Sequence, residues 1–284
     1  MALVAGATRG AGRAIAIELG AAGATVYLTG RSTRSTASPM RRPETIEETE
    51  EMVSARGASA VAVRVDHTQP AEVMALFERV RAEQSGRLDV LVNDVWGGDP
   101  LSEWGRPFWE LSIDNALEMQ RLGVHTHLVT SRFGAPLLVA GRSGLIVEMT
   151  DGAGPEYRGN LPYDLAKASV QRLALAQAEE LRPHQVAAVA LTPGFMRSEA
   201  VLDHLGVREE NWRDGIANDP HFAASETPFY VGRAVVALAS DPRVLRWSGR
   251  TLASWDLARE YGFTDVDGGQ PDWGRHYRDH VLGR

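Results

Sequence analysis

The sequence predicts a single doubly wound α/β domain, a parallel sheet flanked by helices on both faces, and three observations carry that expectation. Short apolar runs recur along the chain, each separated from the next by a longer stretch of helical periodicity. Those runs are apolar throughout rather than alternating, as strands buried on both faces are. A glycine-rich turn follows the first run and opens the first helix. No internal repeat, low-complexity tract or linker divides the 284 residues, so one domain over 1–284 is the economical reading.

In order, residues 2–5, 25–29, 61–65, 88–92, 145–149 and 186–191 read as strands, with a late strand-like run at 250–253. Helical patterns occupy 13–22, 45–56, 71–85, 111–139, 162–181 and 230–239. Residues 33–44 read as an inserted loop whose Arg41 and Arg42 are either solvated or within reach of a bound phosphate. The stretch 96–109, rich in Gly, Pro and Trp, forms either one wall of a substrate pocket or a satellite hydrophobic cluster. Residues 195–228 are polar and mixed, as lids are.

Composition narrows the function. A net charge of −7 and a pI near 5.7 argue against a general nucleic-acid partner. No apolar run is long enough to span a bilayer, and Met1 leads straight into the first strand, so we expect no membrane partner, no secretory signal and a cytoplasmic protein. Without cysteine there is neither disulfide nor thiol chemistry. His125 and His127 are joined by no further ligand at metal-binding spacing, so no metal is expected.

The first turn, Gly6-Ala7-Thr8-Arg9-Gly10-Ala11-Gly12, lets a pyrophosphate approach the free N–H groups at a helix N-terminus. Gly6, Thr8, Arg9, Gly10, Ala11 and Gly12 are therefore candidate cofactor contacts. The second strand ends not in an acid, which would select a ribose hydroxyl, but in Arg31-Ser32. With Arg9 close by, planar guanidinium groups suited to a 2′-phosphate favour NADP(H) over NAD(H). Asp66 and His67 close the third strand, Asn93 the fourth, and Pro193-Gly194 with Ser198 follow the sixth; all face the same ligand in this reading. Tyr163 and Lys167, four residues apart, put a phenol and an ammonium on one helix face beyond the fifth strand.

Together these residues resemble the short-chain dehydrogenase/reductase family: Gly6-x-x-x-Gly10-x-Gly12, Asp66, Asn93, Tyr163-x-x-x-Lys167 and Pro193-Gly194, over nearly the whole chain. The tail 255–268 resembles that of the mammalian dehydrogenase/reductase member 1 group. The resemblance implies Tyr163 as proton donor, Lys167 as the group that holds the nicotinamide ribose and lowers the tyrosine pKa, and hydride transfer from NAD(P)H. It also implies a homodimer or homotetramer built on the helices at 111–139 and 162–181.

Two catalytic positions depart from the family. Asp151, twelve residues before Tyr163, stands where the family has serine. The family's asparagine falls at Gly123, or with a shift at Arg121 or His125. An ionised aspartate only accepts hydrogen bonds. It would repel a developing oxyanion by about 4 kcal/mol at ~4 Å and an effective dielectric of about 20. Asp151 is then protonated, or bypassed by Thr150 or water, or matched to a cationic C=N substrate. The expectation is an NADPH-dependent reductase of a C=O or C=N bond in a small to medium, largely apolar molecule, with Tyr163, Lys167 and Asp151 as its catalytic residues. An imine or iminium reductase and a non-catalytic NADP(H)-binding protein are the alternatives.

Overall fold

The computed structural model describes residues 1–283. Seven strands form one wholly parallel sheet: β1 (Ala2–Ala5), β2 (Val26–Gly30), β3 (Ala60–Arg64), β4 (Val90–Asn93), β5 (Gly144–Met149), β6 (Val186–Thr192) and β7 (Thr251–Ala253), in the order β3-β2-β1-β4-β5-β6-β7. The late run at 250–253 is thus a true edge strand, pairing Thr251 with Ala190. Strand side chains alternate between two cores. Ala2, Val4, Leu28, Val92 and Val147 join one, and Leu3, Tyr27, Leu91 and Ile146 join the other. Apolar runs without alternation follow directly from a sheet covered on both sides.

On the first face lie α1 (Gly10–Ala21), α2 (Ile46–Ser54) and, later in the chain, α8 (Pro228–Ser240). The other face carries α3 (Pro70–Glu83), α4 (Ile113–Gln120), α5 (Thr126–Gly141) and α6 (Leu161–Leu181). Between β6 and α8 sit α7 (Glu199–Leu205) and short 3₁₀ turns, and α9 (Ser254–Tyr261) and α10 (Trp273–His276) close the chain.

The helix expected over 111–139 is in fact two, joined by a π turn at Arg121–His125. Within that widened turn Thr126 Oγ1 donates to the Leu122 carbonyl at 2.7 Å, supplying a bond the regular ladder lacks. Among the described residues no helix is long and apolar enough to cross a membrane.

Candidate active site

β2 lies on one side of β1 and β4 on the other, so the chains leaving β1 and β4 diverge and open a crevice at the carboxyl edge of the sheet. A cavity of about 960 Å³ fills it and extends over the ends of β5 and β6. At its inner end Gly6 has φ +90°, and a side chain there would strike the backbone of Asp94. Gly6, Thr8, Arg9, Gly10 and Ala11 all line the cavity, as do Arg31, Ser32 and Asp66 from β2 and β3 and Pro193, Gly194 and Ser198 from the far side.

Two expected cofactor contacts are corrected. Gly12 is buried, and a Cβ on it would lie 2.3 Å from the Gly6 carbonyl oxygen; its role is close packing of α1 on the turn. Asn93 is fully buried, because it is the last paired residue of β4 and its side chain turns toward α5. There its Nδ2 donates to Ser131 Oγ at 2.8 Å and to Glu148 Oε1 at 2.9 Å. The next residue, Asp94, faces the cleft instead, where burial pushes its carboxyl up to about 7 against the pull of Lys167 and His127. His67 borders the cavity, but its ring is held between Thr29 Oγ1 and Thr130 Oγ1 at 2.7 Å each. Burial drives that imidazole down to about 3, so it is neutral.

The end of the cleft near β2 gathers Arg9, Arg31 and Arg42, each beside a carboxylate: Glu44 is 3.8 Å from Arg9 and Asp66 is 4.0 Å from Arg31. Arg9 donates through Nη2 to Ser38 Oγ at 3.3 Å, while its buried Nη1 has no hydrogen-bond partner. The 33–44 loop is pinned across this end. Arg42 reaches Glu44 at 2.5 Å and Asp203 of α7 at 2.7 Å, so Arg42 lines the cavity rather than lying solvated. Glu199, also on α7, accepts the Gly10 N–H that the turn was expected to offer a phosphate.

The end of the cavity that carries Tyr163 and Lys167 is built on α6. Asn160 caps that helix by accepting from the Tyr163 N–H at 3.1 Å, and Pro162 sits in the first turn, where its missing N–H costs nothing. The capped turn aims Tyr163 and Lys167 at the cavity. Tyr163 Oη donates to Asp151 Oδ2 at 2.8 Å. Burial, then the Asp151 charge and that hydrogen bond, hold the phenol well above its ordinary pKa. Lys167 lies with Nζ 3.8 Å from the centre of the Trp96 ring; burial lowers its pKa while Asp151, Asp94 and Asp99 resist.

Sequence reasoning missed Arg158. It clasps Asp151 with Nη2 at 2.8 Å from both carboxylate oxygens and Nε at 3.1 Å from Oδ2. The glycines at 152, 154 and 159 were the one available signal that this loop doubles back. Thr150 is no substitute for serine, because its hydroxyl donates to the Lys167 carbonyl at 2.9 Å. Nor does a side chain take the asparagine position. Gly123 abuts the Trp96 ring, Arg121 pairs with Glu118 and His125 is exposed. Trp96 and Trp104 form a wall against Tyr163, with centroids 5.5 and 5.3 Å away, whereas Phe108 and Trp109 pack on each other outside it. Trp273 and Tyr277 from the tail complete the apolar lining.

A dinucleotide crevice ending at a tyrosine–lysine pair defines a class, and comparison with known proteins agrees. The short chain dehydrogenase family model matches residues 1–204, and the chain belongs to the short-chain dehydrogenase/reductase family of NAD(P)-dependent oxidoreductases. Among relatives, "Dehydrogenase/reductase SDR family member 1" of Mus musculus is 40% identical over 270 residues, covering 94% of this chain and 83% of that one. Its Homo sapiens counterpart is 39% identical over the same shares. Among solved structures, a short chain dehydrogenase from Mycobacterium thermoresistibile superposes with TM-score 0.78 at 25% identity, covering 96% of this chain and 91% of that one. A metagenomic short-chain oxidoreductase in complex with NADP shares the fold, with TM-score 0.64 at 24% identity over 84% of this chain and 90% of that one.

Proposed function

We propose that the protein is an NADPH-dependent reductase of carbonyl compounds with a largely apolar body, in which Tyr163 delivers the proton and Lys167 supplies positive charge beside it. The observation that carries the carbonyl over the imine is the Asp151–Arg158 pair. Asp151 already has a cation as partner, so a cationic C=N substrate would meet a guanidinium rather than a free carboxylate. The aromatic surfaces of Trp96, Trp104, Trp273 and Tyr277 suit an apolar substrate body. The joint presence of Tyr163 and Lys167 on the cavity wall favours an enzyme over a cofactor-binding protein without chemistry.

The residues fit NADP(H). The buried Nη1 of Arg9 makes no hydrogen bond and has only the Glu44 carboxylate, 3.8 Å away, so a 2′-phosphate lying beside Arg9, Arg31 and Ser32 would supply the acceptor it lacks. When bound, the nicotinamide supplies the hydride. The chain's own part is to hold the dinucleotide along β1, β2 and β6, to place the substrate oxygen against Tyr163 and to keep water from it. The 195–228 segment would serve as the lid over that end. The test is NADPH oxidation against a panel of ketones and cyclic imines: turnover of ketones that vanishes in Tyr163→Phe is expected, and turnover of imines alone would overturn the carbonyl reading. NADPH should bind more tightly than NADH, and Arg9→Ala and Arg31→Ala should each erode that difference; equal affinities in the wild-type protein would remove the phosphate assignment.

A homo-oligomer fits the outer surface of α4, α5 and α6. Ile113, Leu117, Leu128 and Leu165 are 67%, 62%, 55% and 51% exposed there, and exposed apolar side chains on neighbouring helices suit a self-association face.

A further inference from the structure

Three donors converge on a single oxygen in the catalytic chamber. Asp151 Oδ2 accepts from Tyr163 Oη at 2.8 Å, from Arg158 Nη2 at 2.8 Å and from Arg158 Nε at 3.1 Å. Converging donors of this kind, fixed before the reaction, are what a carbonyl oxygen gaining negative charge requires. We propose that the Tyr163 hydroxyl and the Arg158 guanidinium form the oxyanion site of this protein, with Asp151 Oδ2 holding the position of the substrate oxygen until substrate arrives. The proposal rests on the carbonyl-reductase reading and assigns to Arg158 the donor role that a serine hydroxyl at position 151 would have had.

The loop is constructed to hold Arg158 there. Gly152 has φ +84°, a turn that favours glycine, and a Cβ on it would lie 3.3 Å from Arg158 Cδ, so the arginine stem lies in the space that glycine leaves. Gly152 is itself anchored twice, its N–H donating to Thr192 Oγ1 at 3.0 Å and its carbonyl accepting from Gln171 Nε2 at 2.8 Å. The Arg158 N–H donates to Asp164 Oδ1 at 2.9 Å, tying the far end of the loop to α6. Two neighbouring donors are engaged elsewhere: Thr150 is turned to the Lys167 carbonyl, and Lys167 faces the Trp96 ring. Arg158 Nη1 makes no hydrogen bond to a described residue, and the side chain lines the cavity at 22% exposure.

A substrate oxygen entering between the two donors displaces Oδ2 from Tyr163, while Oδ1 keeps its 2.8 Å bond to Arg158 Nη2 and so keeps the guanidinium aimed. As hydride reaches the carbonyl carbon, the C=O π pair moves onto oxygen between Arg158 and Tyr163. Tyr163 passes its phenolic proton to that oxygen, and the phenolate regains one from solvent. No oxidant or reductant beyond the reduced nicotinamide is needed.

The test begins without cofactor. Asp151→Gly empties the position of Oδ2, and acetate, a small carboxylate, should enter it, read by the emission of Trp96 and Trp104, which pack on Tyr163. Saturable binding at least tenfold tighter than in the wild-type protein is expected, weakened about tenfold when Arg158→Met or Tyr163→Phe is added. Acetate binding that is no tighter in Asp151→Gly, or unaffected by Arg158→Met, would overturn the proposal. Should Asp151→Gly not fold, Arg158→Met alone decides. Its kcat on a neutral ketone should fall by about 10²-fold, with the NADPH Kd within twofold of wild type and partial recovery in Arg158→Lys. An unchanged kcat would overturn it. A wild-type protein that reduces no carbonyl would refute the reductase reading, and the acetate measurement would still decide whether these donors make an anion site.

Discussion

Glu199 Oε2 accepts the backbone N–H of Gly10 at 2.9 Å, joining the first turn of α7 to the first turn of α1 across 189 residues of chain. Arg13 stands 3.8 Å from the other carboxylate oxygen. A carboxylate therefore sits at the helix N-terminus where a dinucleotide of this fold lays its pyrophosphate. A pyrophosphate bound at that N-terminus would compete with it for the Gly10 N–H. Asp203, one turn further along α7, is tied to Arg42 of the 33–44 loop, so one short helix is anchored both to the glycine turn and to that loop.

Glu199→Ala should accordingly tighten NADPH binding. A carboxylate at a helix N-terminus contributes about 0.3–1 kcal/mol, so the Kd should fall roughly two- to fivefold. The cofactor-free protein should lose a similar increment of stability. Fluorescence titration together with thermal melts checks both, and a Kd that rises would show that Glu199 assists the cofactor rather than competing with it.

The pH profile of the oxidative direction should lie far to the alkaline side. There Tyr163 must act as phenolate, and its burial and the Asp151 charge both stabilise the neutral phenol. Removing that charge in Asp151→Ser lowers the tyrosine pKa, so the rising limb of alcohol oxidation should move to lower pH. Ketone reduction uses the phenol as acid, and a raised pKa keeps it protonated, so its rate should stay flat through neutral pH. A limb that does not move in Asp151→Ser would contradict the coupling.

His67 and Asp94 should push stability in opposite directions as pH changes. The folded-state pKa of His67 falls from 6.5 to about 3. Between those values the unfolded chain holds a proton the native protein lacks, and stability rises with pH by up to about 1.4 kcal/mol per unit. The carboxyl of Asp94 goes the other way, from 3.8 to about 7, so its contribution is lost as pH rises through that window. Relative to wild type, His67→Gln should flatten the rise between pH 3 and 6.5, and Asp94→Asn should gain stability chiefly above pH 7. Urea melts across pH would show each difference.

If α4, α5 and α6 carry the self-association face, Leu117→Asp with Leu165→Asp should lower the mass measured by light scattering to that of one chain. The two side chains are 62% and 51% exposed, so the fold itself should survive. An unchanged mass would move the interface elsewhere.

The strands were legible because burial on both faces removes polar residues from them, and β1 begins and ends where the apolar run does. The glycine turn and the Tyr163–Lys167 pair were legible because their geometry is local, one turn and four residues. What escaped was set by tertiary contact. Whether Asn93 or Asp94 faces the cleft depends on where the pairing of β4 stops, and a shift of one residue exchanges the two faces. The π turn at Arg121–His125 places Gly123 beneath a tryptophan 27 residues earlier. Arg158 reaches Asp151 only because Gly152 folds the loop back, and Glu199 reaches Gly10 only once β1 and β6 are assembled into one sheet.

Lys167, lying on the face of Trp96, is the only lysine among the 284 residues; arginine supplies every other basic side chain of that pair. The other primary amine at the start of the chain, the Met1 α-amino group, is held against Asp89 at 2.6 Å. A reagent that modifies amines therefore has one side chain to find, and that side chain lines the cavity beside Tyr163. Reductive methylation with carbon-13 formaldehyde would install a single side-chain NMR reporter beside Tyr163 without any substitution. Its resonance would register cofactor, substrate and proton occupancy one step at a time.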